Sequence, residues 1–369
     1  MFETERPLSV AGKLARLNWL VVVLVAALAA VGTATLYSVA GGSFDPWAGR
    51  HAVRCLAGLA VLIALALVPV RLWSAAAVPV YLVALALLIA VPVVGHEGMG
   101  AKRWLVIGGV SIQPSELMKV ALVLALAQFY AALPPSSVSR PQWVMVPLAL
   151  MAVPIALTLK QPDLGTAVLF AGLGVGMMYL AGVSAWYFAG GLVGALVALP
   201  LMADHLRDYQ RRRIEIFLDP ASDPLGAGYH ITQAKIALGA GGLSGQGYLQ
   251  GTQTQLNFVP EKMTDFIFAV IGEEWGFIGA CGVLGLFALL ISVLFVLALR
   301  NRTPFGRLTI AGAALSLSIY VVINVAMVTG LIPVVGVPLP LISYGGTAML
   351  GLMVALGLAM SAHIHDGRR

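Results

Sequence analysis

Long apolar stretches alternate along the chain with short breaks marked by charge, proline or glycine, and "NWLVVVLVAALAAVGTATLYSV" (18–39) sets the pattern. A bilayer core is crossed by about 20 apolar helical residues. On that template spans are predicted near 18–40, 52–70, 73–94, 114–133, 142–159, 163–182, 184–203, 275–299, 306–330 and 340–362. The expected fold is an all-α integral membrane protein of about ten transmembrane helices, one polytopic domain over 1–369. Residues 204–264, between the seventh and eighth spans, are its large extracytoplasmic loop. That loop contains "IEIFL", "YHITQAKIALGAGGL" and "LNFV", apolar enough to pack, so short amphipathic helices on the outer surface are expected there.

Composition strengthens the class. The chain is 60% hydrophobic and 10% charged, with a mean hydropathy of +0.93, whereas soluble domains carry about 25% charged residues. Glu3 and Glu5, with no small-residue cleavage site after a short apolar core, make the first span a retained helix rather than a cleaved signal. Cys55 and Cys281 lie in apolar runs without metal spacing and are expected to be buried, inert thiols.

The net charge of +6 fits basic inside loops and membrane lipids as neighbours. No soluble basic domain is present for nucleic acid. With the N-terminus inside, the cytoplasmic segments carry ten bases: Arg6, Lys13, Arg16, Arg71, Arg140, Arg300, Arg302, Arg307, Arg368 and Arg369. The opposite side, leaving out the long loop, carries six: Arg50, Arg54, Lys102, Arg103, Lys119 and Lys160. Both termini are therefore expected in the cytoplasm, and the outer side keeps enough bases to handle an anion.

Five constellations carry candidate chemistry. In "GAKRWLVIGGVSIQPSELMKV" (100–120), Pro114 opens a helix and Glu116 and Lys119, three apart, share a face. They read either as an ion pair knitting two spans or as a functional site, because ionisable groups inside a bilayer are costly. In "KQPDLGT" (160–166), Asp163 is placed to cap the next helix.

"YQRRRIEIFLDPASDPLGAGYH" (209–230) offers Arg211 and Arg213 as a solvated face or as forks for phosphate. The glycine run "GAGGLSGQG" (239–247) lacks the ending of a phosphate-binding loop and reads as a tight backbone path beside a ligand or helix.

In "NFVPEKMTDFIFAVIGEEWGF" (257–277), Glu261, Lys262, Asp265, Glu273 and Glu274 precede a long apolar run. Counting back about 25 residues of tilted helix from Arg300 reaches Trp275. Residues 264–274 should then lie at or above the outer boundary, as a shallow helix or re-entrant turn, with their charges clear of lipid. Asp265 and Glu273, eight apart, would share a face if this part is helical. They could divide acid–base work or bind a divalent ion, Mg2+ or Mn2+. Finally, prolines and glycines between 330 and 340 break the ninth span from the tenth. Such backbone is tolerated only inside protein or along a cavity, and "SYGG" with Ser343 then opens the last helix with donors suited to an anion or sugar. The pairs Gly172/Gly176 and Gly190/Gly194 read as close helix packing.

Together, "GAKRW…QPSE", "QPDLGT", "DPLGAGY", "PEKMTDFIFAVIGEEWGF" and "GVPLPLISYGG" resemble, in this order, the SEDS family of bacterial cell-wall proteins. "LQGTQTQLNFVPE", the short N-terminal tail and "DYQ…RI" look more like its elongation branch, RodA, than its division branch, FtsW. The resemblance implies a peptidoglycan glycosyltransferase that polymerises lipid II on the outer face of the cytoplasmic membrane, beside a class B penicillin-binding protein. The family's essential aspartate falls on Asp265, here the expected general base. The histidine that usually precedes the motif's threonine is replaced by Met263, which cannot share a proton. Arg211, Arg213, Lys119 and Arg103, or a divalent cation, are the expected partners of the leaving pyrophosphate, with Glu116 organising the cavity. A lipid II flippase and a non-catalytic scaffold of the synthesis complex are the rival readings.

Overall fold

The computed structural model describes residues 9–98, 101–107, 110–202, 208–224 and 226–366. Arg6, Arg207, Arg368 and Arg369 lie outside them. After a short helix, α1 (Val10–Arg16), all ten expected spans are helices. They are α2 (Trp19–Val39), α3 (Ala48–Leu67), α4 (Val70–Val94), α5 (Pro114–Ala131), α6 (Pro141–Lys160), α7 (Leu164–Leu180) and α8 (Ala185–Met202), then α12 (Ile267–Arg300), α13 (Pro304–Val328) and α14 (Gly346–Ile364). Among the described residues seven of these are long and apolar enough to cross a bilayer by length and composition alone. Between α8 and α12 lie α9 (Asp208–Leu218), α10 (Ala227–Ala240) and α11 (Thr252–Gln255).

The starts follow local chemistry. Pro114, Pro141 and Pro304 each occupy the first turn of a helix, where the missing N–H is no loss. Asn18 and Thr303 cap α2 and α13 by accepting from Val21 N and Gly306 N. The fold is all-α as expected, with one small addition: β1 (His96–Gly98), β2 (Ala101–Ile107) and β3 (Val110–Ile112) form an antiparallel sheet in that order. Val106 pairs with Ser111 in that sheet, and the β-branched residues Val106, Ile107, Val110 and Ile112 suit strands.

α13 is the hub, packing against α5, α7, α12 and α14, while α3 lies along α14. Gly172 and Gly176 meet Ile319 and Leu315 of α13, which is the close packing expected of that pair. Gly190 and Gly194 face nothing within 4 Å, so α8 presents its small residues outward instead. At one end of the bundle, Lys13 Nζ donates to Leu67 O (2.8 Å), Ser361 Oγ to Val68 O (2.6 Å) and Arg302 N to Asp366 Oδ1 (3.0 Å). Both ends of the described chain and two inter-helix turns therefore share one side. Cys55 is buried as expected; Cys281 is exposed, on the outward face of α12.

α12 is longer than a span needs, and it breaks where length counting places the boundary. Gly276 adopts φ 67°, ψ −167°. The break frees backbone groups on both sides, and the glycine run takes them up. Gln246 N and Gly247 N donate to Glu273 O (2.9 Å) and Glu274 O (3.0 Å), while Phe277 N and Ile278 N donate to Gly242 O (2.9 Å) and Leu243 O (3.1 Å). Of the two expected roles for 239–247, a tight path beside a helix is the one adopted. A Cβ on Gly276 would strike Gly245 N and Leu243 O, and one on Gly245 would strike Glu274 O.

Gly276→Ala is thus expected to destabilise the protein by about 2–4 kcal/mol, from the left-handed backbone and the collision together. Thermal unfolding in detergent should show a clear drop in Tm, whereas Gly285→Ala, with nothing within 4 Å, should leave Tm unchanged.

Candidate functional site

The N-terminal end of α12 is preceded by a short irregular segment, 257–266, that carries Asp265. A second irregular segment, 329–345, the proline- and glycine-rich break between α13 and α14, grips it. Ser343 Oγ donates to Thr264 O (2.5 Å) and accepts from Leu339 N (2.8 Å). Tyr344 N donates to Met263 O (2.8 Å). The buried Asn324 on α13 spans both segments, its Nδ2 donating to Asp265 O (2.8 Å) and Val337 O (2.7 Å). Asp265 is therefore held through the backbone of residues 263–265, leaving its carboxylate uncommitted to the clasp. Oδ2 lies 3.4 Å from where a Cβ on Gly336 would stand, so a larger residue there would crowd the carboxylate. Burial pushes the Asp265 carboxyl up to about 6, with the charge of Glu261 adding to the rise. Glu261 itself accepts from Thr264 Oγ1 (2.9 Å).

One helical turn along α13 from Asn324, Tyr320 donates to Glu116 Oε2 (2.8 Å). Lys119 Nζ donates to Glu116 Oε1 (2.6 Å) and to the Tyr320 hydroxyl, and sits 4.5 Å from the centre of that ring. All three side chains are buried. Tyr320 borders two small cavities, one lined by Pro338, Leu341, Ser343 and Gly345, the other by Glu116, Lys119, Ser316 and Gly351. The Glu116–Lys119 pair and the clasp around Asp265 are thereby linked through one face of α13.

The remaining expected site residues are placed as follows. Asp163 caps α7, accepting from Thr166 N (3.1 Å) and Thr166 Oγ1 (2.9 Å), with Arg103 Nε at 3.8 Å. Arg103 also donates to Pro162 O (2.7 Å), so it locks the sheet onto the start of α7. Arg211 is exposed and Arg213 half-buried on α9, which packs on α10 and the turn Pro220–Ser222.

Glu273 requires a correction. The helix begins at Ile267, so Asp265 and Glu273 do not share a helical face. The Glu273 carboxylate is fully buried and caps α11, accepting from Gln253 N (2.6 Å), Thr254 N (3.0 Å) and Thr254 Oγ1 (2.6 Å). Nor are the charges of this stretch kept in water. Glu274 is buried against Ser38, and Lys262 is buried on Thr254 O (2.5 Å) and Asn257 Oδ1 (2.8 Å). They sit inside protein at the N-terminal end of α12, where with Gln255 they tie residues 253–262 to α2 and α12. Among the described residues no three His, Cys, Asp or Glu converge as ligands for a metal. Asp265 with Glu261 is the carboxylate pair a hard cation would find.

Three residues were missed. Asn324 and Tyr320 lie in a helix that reads as an ordinary span, and the polar pair at spacing four was the available signal. Arg54 was used only to orient the chain. It lies over the Tyr344 ring (4.7 Å to the centre) and against Gly346, at the start of α14. This puts a guanidinium beside the loop that grips Asp265.

The "FtsW/RodA/SpoVE, cell cycle protein" family model matches residues 14–367. The peptidoglycan glycosyltransferase MrdB of Escherichia coli K12 is 46% identical over 312 residues, covering 84% of this chain and 83% of that protein. A solved peptidoglycan synthase complex, described as coordinating polymerization and crosslinking, matches with a TM-score of 0.84 at 35% identity, over 96% of this chain and 99% of the matched chain. The rod shape determining protein RodA of Thermus thermophilus, in a mutant form, matches with a TM-score of 0.72 at 31% identity, over 96% and 99% of the two chains. The order of motifs, the ten-helix bundle and a family match running almost end to end agree: this chain belongs to the FtsW/RodA/SpoVE family, the SEDS proteins.

Proposed function

We infer that this protein is a peptidoglycan glycosyltransferase of the RodA type, polymerising lipid II at the outer face of the cytoplasmic membrane with both termini in the cytoplasm. The observation that carries the reading is the grip on residues 263–265. Backbone bonds from Ser343, Tyr344 and Asn324 hold a half-buried carboxylate at the outer end of a helix without occupying its oxygens. A fixed, unspent carboxylate is what a general base requires. A scaffold would have no need of it.

In the reaction, the acceptor sugar hydroxyl attacks the anomeric carbon of a second lipid-linked disaccharide. Its proton passes to Asp265, the new glycosidic C–O bond forms, and the bond to the lipid pyrophosphate breaks with its electron pair leaving on oxygen. Met263 contributes no proton transfer, so the carboxylate works alone. The pyrophosphate requires positive charge. Arg54, on Tyr344 at the start of α14, joins Arg211, Arg213, Arg103 and Lys119 as a candidate; Arg103 and Lys119 also pair with Asp163 and Glu116. A divalent cation on Asp265 and Glu261 is the alternative source of charge. The transpeptidase partner is a class B penicillin-binding protein, in keeping with the synthase complex that this chain resembles. A flippase would need the buried Glu116–Lys119–Tyr320 group to open during transport; its mutual hydrogen bonds make it a brace instead.

Asp265→Asn should fold, bind its partner and lose about 10²–10⁴-fold in glycan synthesis from lipid II supplied on the accessible leaflet. Full polymerisation by that variant would sink the assignment. For the native protein kcat should fall as pH drops through about 6, because protonation removes the base, and should level off above it. Glu261→Gln removes a neighbouring negative charge, so the midpoint should move to lower pH. Arg54→Ala should raise KM for lipid II about 10-fold or more with little change in kcat; an unaltered KM would take Arg54 out of the site.

A further inference from the structure

Away from the clasp, α3 and α14 bring three soft donor atoms together. Cys55 Sγ lies 3.3 Å from His51 Nε2 and 3.3 Å from Met349 Sδ. His51, Cys55 and Met349 are 1%, 4% and 2% exposed, so the group is closed to solvent. His51 and Cys55 stand one turn apart on α3, and Met349 comes from the first turn of α14.

Thiolate, thioether and imidazole are the donors that soft d10 ions prefer, while hard divalent ions want oxygen. The charge that reaches His51 is that of Arg54, which repels a divalent cation. A monovalent ion bound to a thiolate forms a neutral pair and is far cheaper to bury. Bonds of about 2.0–2.3 Å place the donors of a trigonal site about 3.7 Å apart. The two distances from Cys55 Sγ, both 3.3 Å, need to lengthen by about 0.4 Å, and Met349, with its flexible thioether, can supply movement of the third donor.

We propose that His51, Cys55 and Met349 form a site for a soft monovalent ion, Cu(I), that is coupled to the loop holding Asp265. On binding, the Cys55 thiol gives its proton to the buffer, and Sγ, Sδ and Nε2 take the ion with no change of oxidation state. The coupling follows from His51, whose Nε2 lies 3.1 Å from Leu341 O. Leu341 sits between Leu339 and Ser343, the residues that form the clasp on Thr264. An ion on Nε2 removes that contact and loosens the grip on Asp265. This second step rests on the activity proposed above.

The test uses the purified full-length chain carrying Cys281→Ser, because the exposed thiol would bind soft ions by itself. Anaerobic competition with bicinchoninate should show one Cu(I) per chain, and X-ray absorption should show two sulfurs and one nitrogen on copper. Adding Met349→Leu, which conserves volume, or Cys55→Ser should weaken binding at least ~10-fold. Unchanged affinity in both, or copper without a sulfur pair, would overturn the site. One equivalent of Ag(I), a redox-inert probe, should slow lipid II polymerisation by Cys281→Ser protein and spare the version that also carries Met349→Leu. Equal slowing of both would overturn the coupling. A chain inactive before any ion is added would instead count against the glycosyltransferase reading, so the two failures are distinguishable.

Discussion

Inside a bilayer a broken helix has no water to satisfy its freed N–H and C=O groups, so every interruption must be answered by backbone or side chain from elsewhere in the protein. The architecture around the start of α12 follows from that constraint. α12 breaks at Gly276, and the four freed groups are met by residues 242–247. The chain breaks again between α13 and α14, and that segment is met by Asn324, Ser343 and the residues just before α12. The second repair bears directly on the short segment containing Asp265. Irregular backbone, which the bilayer penalises, is confined to the place where a side chain must be aimed.

The same bonds that repair the breaks also immobilise the carboxylate. Because Ser343, Tyr344 and Asn324 engage the main chain of residues 263–265, the Asp265 side chain stays available for chemistry. Glu273, Glu274 and the base Lys262 are instead consumed in building the support. Glu273 caps α11, Glu274 receives Ser38, and Lys262 ties Thr254 to Asn257. Two acids of similar appearance in the sequence thus have opposite fates, one a strut and the other free. Glu116, Lys119 and Tyr320 form a second closed brace on α13, the helix that joins the two levels.

Much of the fold was legible because it depends on local quantities. Span length, proline at helix starts and capping residues are properties of neighbouring positions, and all ten helices lie where the apolar runs put them. The break near Trp275 came from counting rise per residue against bilayer thickness. Asp265 was separable from Glu273 only through the resemblance to a family. The strands β1 to β3 carry no such signal, because they are three to seven residues long and their pairing joins separate stretches of chain.

What the sequence determined by itself is therefore the membrane class, the position of the ten spanning helices, the short helices of the long loop, and the family motif in which Asp265 falls. Tertiary structure decided what each polar group does. Ser343 reaches Thr264 across 79 positions of chain, and Tyr320 reaches Glu116 across 204. No periodicity or spacing encodes such pairs. Whether a buried carboxylate is spent on a backbone N–H or left free depends on which distant segment packs against it, and that is set only when the helices assemble.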